Sequence, residues 1–154
     1  MKTFASKRAA ALLLLITIAA VAVFGLTACT DPDGSDSDVF AQGAAMTLAI
    51  AEDPVREITV DISGLDKDSD LIDVLEKCGV SYELDGTFLN AVGTLAPQAP
   101  TYIYLYTSVE ADKDVSQYGT TTEYGGKTLY NSGKGALDMT IEDGCTIYIG
   151  TITY

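Results

Sequence analysis

The sequence predicts an α+β domain in which one short helix packs on a mainly antiparallel sheet. Three observations lead there. Residues 70–79 are the best helix in the chain, with apolar side chains at helical spacing between a capping residue and a terminating glycine. Elsewhere apolar residues alternate with polar ones over short runs, the period of half-buried strands. Asp85-Gly86 and Gly125-Gly126 separate such runs as tight hairpin turns do. One helix among about seven strands belongs to α+β architecture, with the helix covering a sheet face.

In chain order, residues 39–51 satisfy two patterns at once. Met46, Leu48 and Ile50 alternate as in a strand, while the alanines suit a helix. Residues 56–63 are plainer: Ile58, Val60 and Ile62 alternate with Glu57, Thr59 and Asp61, and Gly64 ends the run. The helix follows. Asp70 can cap it, Asp73 stands where a capping box needs a carboxylate, and Leu71, Leu75 and Cys78 form a stripe with Ile72 and Val74 beside them. Lys77 suits the last turn and Gly79 the position beyond it, so a helix of about nine residues is expected, too short to stand without a sheet beneath it. Val80, Tyr82 and Leu84 alternate up to Asp85-Gly86, and residues 87–93 return. Prolines mark 96–100 as a loop. Residues 101–109 form a long strand with Ile103, Leu105 and Thr107 on one face and Tyr102, Tyr104 and Tyr106 on the other. After an acidic stretch at 110–119, strands at 120–124 and 127–130 flank Gly125-Gly126. Residues 131–135 are a loop. Leu137, Met139 and Ile141 then lead to Asp143-Gly144 and a last strand at 145–154.

The order of these features is a strand, a helix reading Leu71-Ile72-Asp73-Val74-Leu75, then Gly79-Val80-Ser81-Tyr82, the apolar strand at 101–108, and a Glu142-Asp143-Gly144 turn before a Tyr-ended strand. It resembles the DUF4430 family, whose domain is similar to the C-terminal β-domain of transcobalamin and intrinsic factor. The resemblance covers about residues 56–154. The family's aromatic strand ending in Asn-Gly appears here as Tyr106-Thr107-Ser108, and its Asp-Gly-Asp turn as Asp143-Gly144-Cys145. The resemblance implies a β-grasp-like fold, one helix lying across a sheet. In the vitamin carriers this domain closes over cobalamin against a separate helical barrel. This chain holds no barrel, so cobalamin binding does not carry over, and neither does any catalytic residue.

Residues 1–28 read as an export signal. Lys2, Lys7 and Arg8 precede an apolar run at 9–26 broken only by Thr17 and Gly25. The run ends in Leu26-Thr27-Ala28-Cys29, which closely resembles the lipobox of bacterial lipoproteins. That resemblance implies diacylglyceryl attachment to Cys29, cleavage before it, and a lipid bilayer as partner. The alternative is an uncleaved anchor, for which the run is just long enough. Residues 29–45 read as a tether whose TDPDGSDSD stretch is acidic and rich in Gly, Pro and Ser. Solvation, or calcium collected by its aspartates, accounts for that charge. Residues 46–154 then form the domain. All 22 acidic residues lie at or beyond Asp31, against nine basic residues in the whole chain, and the net charge is −13. So negative a body argues against nucleic acid and against docking on anionic lipid. The absence of histidine excludes His-based triads and dyads and His-ligated metal.

Within 112–123, Asp112, Asp114, Ser116 and Glu123 fall at oxygen-ligand positions of an EF-hand-like calcium loop. Gln117 stands where that loop needs Gly, Gly119 where it needs an apolar residue, and strands replace the flanking helices, so a solvated loop is the alternative. Gly126-Lys127-Thr128 ends like a phosphate-binding loop, but Thr121 replaces the leading glycine and no helix follows. Cys78 and Cys145 can form a disulfide in an exported protein or remain as two buried thiols. Without a histidine or an obvious cation beside it, neither makes a good nucleophile. The ribbon of Tyr102, Tyr104 and Tyr106 is either a platform for a sugar, a corrinoid or a partner protein, or a covered sheet face. The expected function is a membrane-anchored extracytoplasmic lipoprotein whose small non-catalytic domain binds a ligand or envelope protein, with no cofactor. Alternatives are a structural or adhesive envelope module, calcium-tuned, and a carboxylate-dependent hydrolase using a pair such as Asp112 and Asp114.

Overall fold

The computed structural model describes residues 38–154. The expected export signal, the acylated Cys29 and the TDPDGSDS part of the tether lie outside the described residues. Where the description begins, the chain already belongs to the fold. Val39 bridges Asp66, Phe40 donates its N–H to the Leu65 carbonyl at 2.8 Å and packs on the core, and Ala44 is buried. The domain therefore starts ahead of the expected boundary at 46, because these residues bury apolar surface that a solvated tether leaves exposed.

The fold is α+β. Its strands are β1 (Ala45–Ile50), β2 (Arg56–Asp61), β3 (Tyr82–Asp85), β4 (Phe88–Val92), β5 (Thr101–Thr107), β6 (Thr121–Tyr124), β7 (Lys127–Asn131) and β8 (Thr146–Thr153), and its helix α1 is Leu71–Lys77. Six strands form one sheet in the order β2-β1-β8-β5-β7-β6, while β3 and β4 pair apart from it. The sheet is mixed: β1 runs parallel to β8, and the other pairings are antiparallel. The two patterns in residues 39–51 resolve to a strand, because β2 and β8 complete its ladder on both sides and override the helix propensity of its alanines.

The helix has the caps read from the sequence. Asp70 accepts from the N–H groups of Ile72 and Asp73 at 2.7 and 3.2 Å, and Asp73 accepts in turn from Asp70 N–H at 3.0 Å. Gly79 stops the helix with φ +63°. Its length is seven residues, shorter than expected, since Asp70 and Cys78 are the caps. Leu71, Val74 and Leu75 are fully buried against Met46, Leu48 and Ile50 of β1 and Ile147 and Ile149 of β8. Residues 137–141 form no strand, but Met139 and Ile141 are buried in the same core.

The opposite face is closed differently. β7 pairs with β5 only at Tyr106↔Asn131 and Thr107↔Tyr130. From there the β6–β7 hairpin curls across the face away from α1. Tyr124 donates to Glu57 of β2 at 2.5 Å, and the Lys127 ammonium reaches Thr146 Oγ1 at 3.2 Å. The two ends of the sheet thus meet, and Leu129 is buried inside the curl.

Candidate functional site

β5 is held on one side by β8 along its whole length, from Thr101↔Thr153 to Thr107↔Ile147. On its other side β7 stops at Tyr106, and Ser132 N–H adds one bond to the Leu105 carbonyl at 2.8 Å. The stretch 101–105 is therefore an open strand edge. The β3–β4 hairpin lies beside it without joining the sheet. A groove runs between them. One cavity of about 520 Å³ is lined by Phe88, Tyr102, Ile103, Tyr104 and Tyr154 among others. A second, of about 540 Å³, continues it past Phe88, Tyr102 and Ile103 to Glu83 and Asp85. Phe88, Tyr102 and Tyr154 expose 73%, 51% and 79% of their surface there.

The register places Tyr102, Tyr104 and Tyr106 opposite Ile152, Gly150 and Tyr148, on the face away from α1, while Ile103 and Leu105 pack on the core. The three tyrosines share a face, as expected, but not a role. Tyr102 is exposed and meets Tyr154 with centroids 6.1 Å apart. Tyr104 and Tyr106 are half-buried and open a chain of rings: Tyr104–Tyr106 at 5.4 Å, Tyr106–Tyr148 at 6.1 Å and Tyr148–Tyr124 at 5.2 Å. Gly150 makes room for it, since a Cβ there would lie 2.8 Å from Tyr148 Cε1. Burial raises the pKa of Tyr104, and the hydrogen bond to Glu57 pushes that of Tyr124 up to about 12. The ribbon is packing at its Tyr106 end and accessible surface at its Tyr102 end.

The structure does not bring the expected calcium ligands together. Asp112 is 1% exposed. It lies 2.6 Å from the Lys134 ammonium and accepts from the N–H and hydroxyl of Thr140 at 2.6 and 2.7 Å. Asp114 accepts from Ser116 N–H at 2.8 Å and from the Asn131 amide, bonds that hold its pKa below the ordinary carboxylate range. The Ser116 hydroxyl accepts from Tyr118 N–H, and Glu123 accepts from the Thr128 hydroxyl across the hairpin at 2.6 Å. Among the described residues no three Cys, Asp or Glu side chains gather as metal ligands. The loop is structural: a buried carboxylate already neutralised by lysine has no charge to offer a cation. The same pairing takes Asp112 out of any carboxylate dyad with Asp114.

Cys78 is half-buried and Cys145 buried, and both are free, so the disulfide is not formed. Burial raises both thiol pKa values, which leaves little thiolate. The groove residues absent from the sequence reading are Phe88, Tyr154 and the backbone of 101–105. Phe88 had a signal, since it directly follows the Asp85-Gly86-Thr87 turn and is displayed by it. The open edge had none, because it depends on where β7 leaves β5. Fold and groove together define an α+β domain with an open-edged aromatic cleft. No protein-family model matches the chain, and no curated protein matches it.

Proposed function

We propose that this protein is a lipid-anchored extracytoplasmic domain that binds a partner without chemistry, and that the groove beside β5 is its binding site. The observation that carries the reading is the exposure of Phe88, Tyr102 and Tyr154 along one concavity. Clustered water-exposed rings gain free energy when a partner covers them. The Leu26-Thr27-Ala28-Cys29 ending supports the anchor, since two or three acyl chains hold a protein far more firmly than one. The non-catalytic part rests on the lack of histidine, the protonated thiols and the neutralised Asp112. The sheet order β2-β1-β8-β5, its parallel middle pair and a helix after β2 support a β-grasp-like arrangement, and with it the resemblance to DUF4430 domains.

The test is photo-crosslinking in intact cells carrying the full chain. A photoreactive side chain replaces Phe88, Tyr102 or, as a control, the exposed Thr59 on β2, three places from β5 in the sheet. A discrete adduct is expected from the first two sites and not from the third. It should sit in the membrane fraction and leave it on Cys29→Ala. No adduct at 88 and 102, or the same adduct at 59, overturns the binding reading. Cys29→Ala protein that stays processed and membrane-bound overturns the anchor.

A further inference from the structure

We propose that the occupant of the groove is an extended, cationic polypeptide segment that adds to the free edge of β5 as a further strand. This rests on the binding reading above and gives it a partner chemistry.

Ser108 N–H donates to the Thr146 carbonyl at 3.0 Å, and Tyr154 N–H donates to the Pro100 carbonyl at 3.2 Å. Those bonds at the two ends of the ladder set its phase. In an antiparallel pair the hydrogen-bonded positions alternate, so Tyr102, Tyr104 and Tyr106 bond to β8 while Thr101, Ile103 and Leu105 turn their N–H and C=O groups the other way. Of these outward groups, Thr101 N–H donates to the Gln98 carbonyl at 2.9 Å, and the Leu105 carbonyl is taken by Ser132. The Thr101 carbonyl, both groups of Ile103 and Leu105 N–H have no partner among the described residues. They form the repeat of donors and acceptors that an incoming strand needs.

Natural edges are blunted by charge, proline or a bulge. The β2 edge follows this rule, with Arg56, Glu57 and Asp61 along it and Pro54 ahead of it. The β5 edge reads Thr-Tyr-Ile-Tyr-Leu over 101–105 and carries no charge. The two cavities beside it leave room for a guest of about five residues, which at roughly 3.3 Å per residue matches the open stretch. A guest strand would place alternate side chains against Phe88 on one side and against Tyr102 and Tyr154 on the other.

Charge selects the guest. Glu83 and Asp85 line the groove, are exposed and take no ion-pair partner among the described residues. The lysine that lines it, Lys134, is neutralised by Asp112 at 2.6 Å. The chain as a whole carries −13. A second copy would bring that same charge and be repelled, whereas lysine and arginine side chains on an extended segment meet uncompensated carboxylates.

The experiment uses the full chain in detergent micelles and a fluorescein-labelled peptide of alternating lysine and valine, about nine residues long so that it overhangs the edge. Anisotropy should show saturable binding. N-methylation of alternate peptide amides should weaken it at least tenfold in one register and leave it unchanged in the other, since only one edge of the guest pairs. A glutamate-for-lysine counterpart should bind at least tenfold more weakly. Ile103→Pro removes a donor that faces the groove and makes no bond to β8, so it should abolish binding while the circular dichroism spectrum is kept. Should that variant unfold, the N-methyl peptides decide, because they leave the protein untouched. Equal binding of both N-methyl registers, or of the glutamate peptide, overturns the proposal. So does sedimentation showing a dimer that Ile103→Pro dissociates, which would make a second copy the occupant. No peptide binding while adducts at Phe88 persist overturns strand addition alone, and loss of both overturns the binding reading with it.

Discussion

Gly150→Ala tests whether the face opposite the helix is packed as described. Gly150 lacks a positive φ, so alanine fits its backbone and should stabilise by about 0.4–1 kcal/mol through lost unfolded-state entropy. The structure opposes that gain. The new Cβ would sit 2.8 Å from Tyr148 Cε1, closer than such atoms approach. Tyr148 has little freedom to withdraw, with Tyr106 at 6.1 Å, Tyr124 at 5.2 Å, and Tyr124 itself tied to Glu57. Overpacking of this kind costs about 1–3 kcal/mol, so a net loss near 1–2 kcal/mol is expected. For a domain of this size that lowers Tm by roughly 4–8 °C. Scanning calorimetry reads it directly, and the decisive comparison repeats the substitution in a Tyr148→Ala background. There the obstructing ring is gone, only the entropic gain remains, and Gly150→Ala should turn stabilising. A sign reversal between backgrounds is a coupling that only contacting residues show. Gly150→Ala that raises Tm in the wild-type background, or costs the same in both, would refute the ring chain as a packed layer.

Leu75→Ala should cost about 2–5 kcal/mol, since Leu75 is fully buried between α1 and the sheet. A urea midpoint unchanged within error would show that α1 is not a core element. The bond from Tyr124 to Glu57 holds the Tyr124 proton up to about pH 12, above its unfolded value near 10. Its contribution is therefore complete below about pH 10 and lost as pH rises through 12. The stability difference between wild type and Tyr124→Phe should be constant from pH 8 to 10 and shrink above it, and a difference that stays constant to pH 11.5 would contradict the pairing.

Several elements were legible because their causes are local. The capping box of Asp70 and Asp73 and the stop at Gly79 depend on neighbours within one turn. The turn at Gly125-Gly126 needs positive φ at both positions, which glycine supplies at no steric cost. Alternation placed Ile103 and Leu105 toward the core and the tyrosines away from it. The calcium-like spacing of 112–123 misled for the complementary reason. What decides the role of Asp112 is Thr140, 28 residues away, and Lys134, neither of which belongs to the motif. Residues 39–51 stayed divided between helix and strand because their partners, β2 and β8, come later in the chain and β8 comes last.

What the sequence determined by itself is the α+β class, the helix at 71–77 with its capping box and its glycine stop, the hairpin turns, the strongly acidic body and the lipobox-like ending at Cys29. Each follows from residue type and short-range periodicity, which act before any tertiary contact forms. Only the tertiary structure decided the parallel pairing of β1 with β8, the curl that brings Tyr124 to Glu57, and the point where β7 leaves β5 and opens its edge. Those depend on how far strands distant in sequence can pair before sheet twist and side-chain bulk part them, and that quantity belongs to the assembled sheet and to no segment of it.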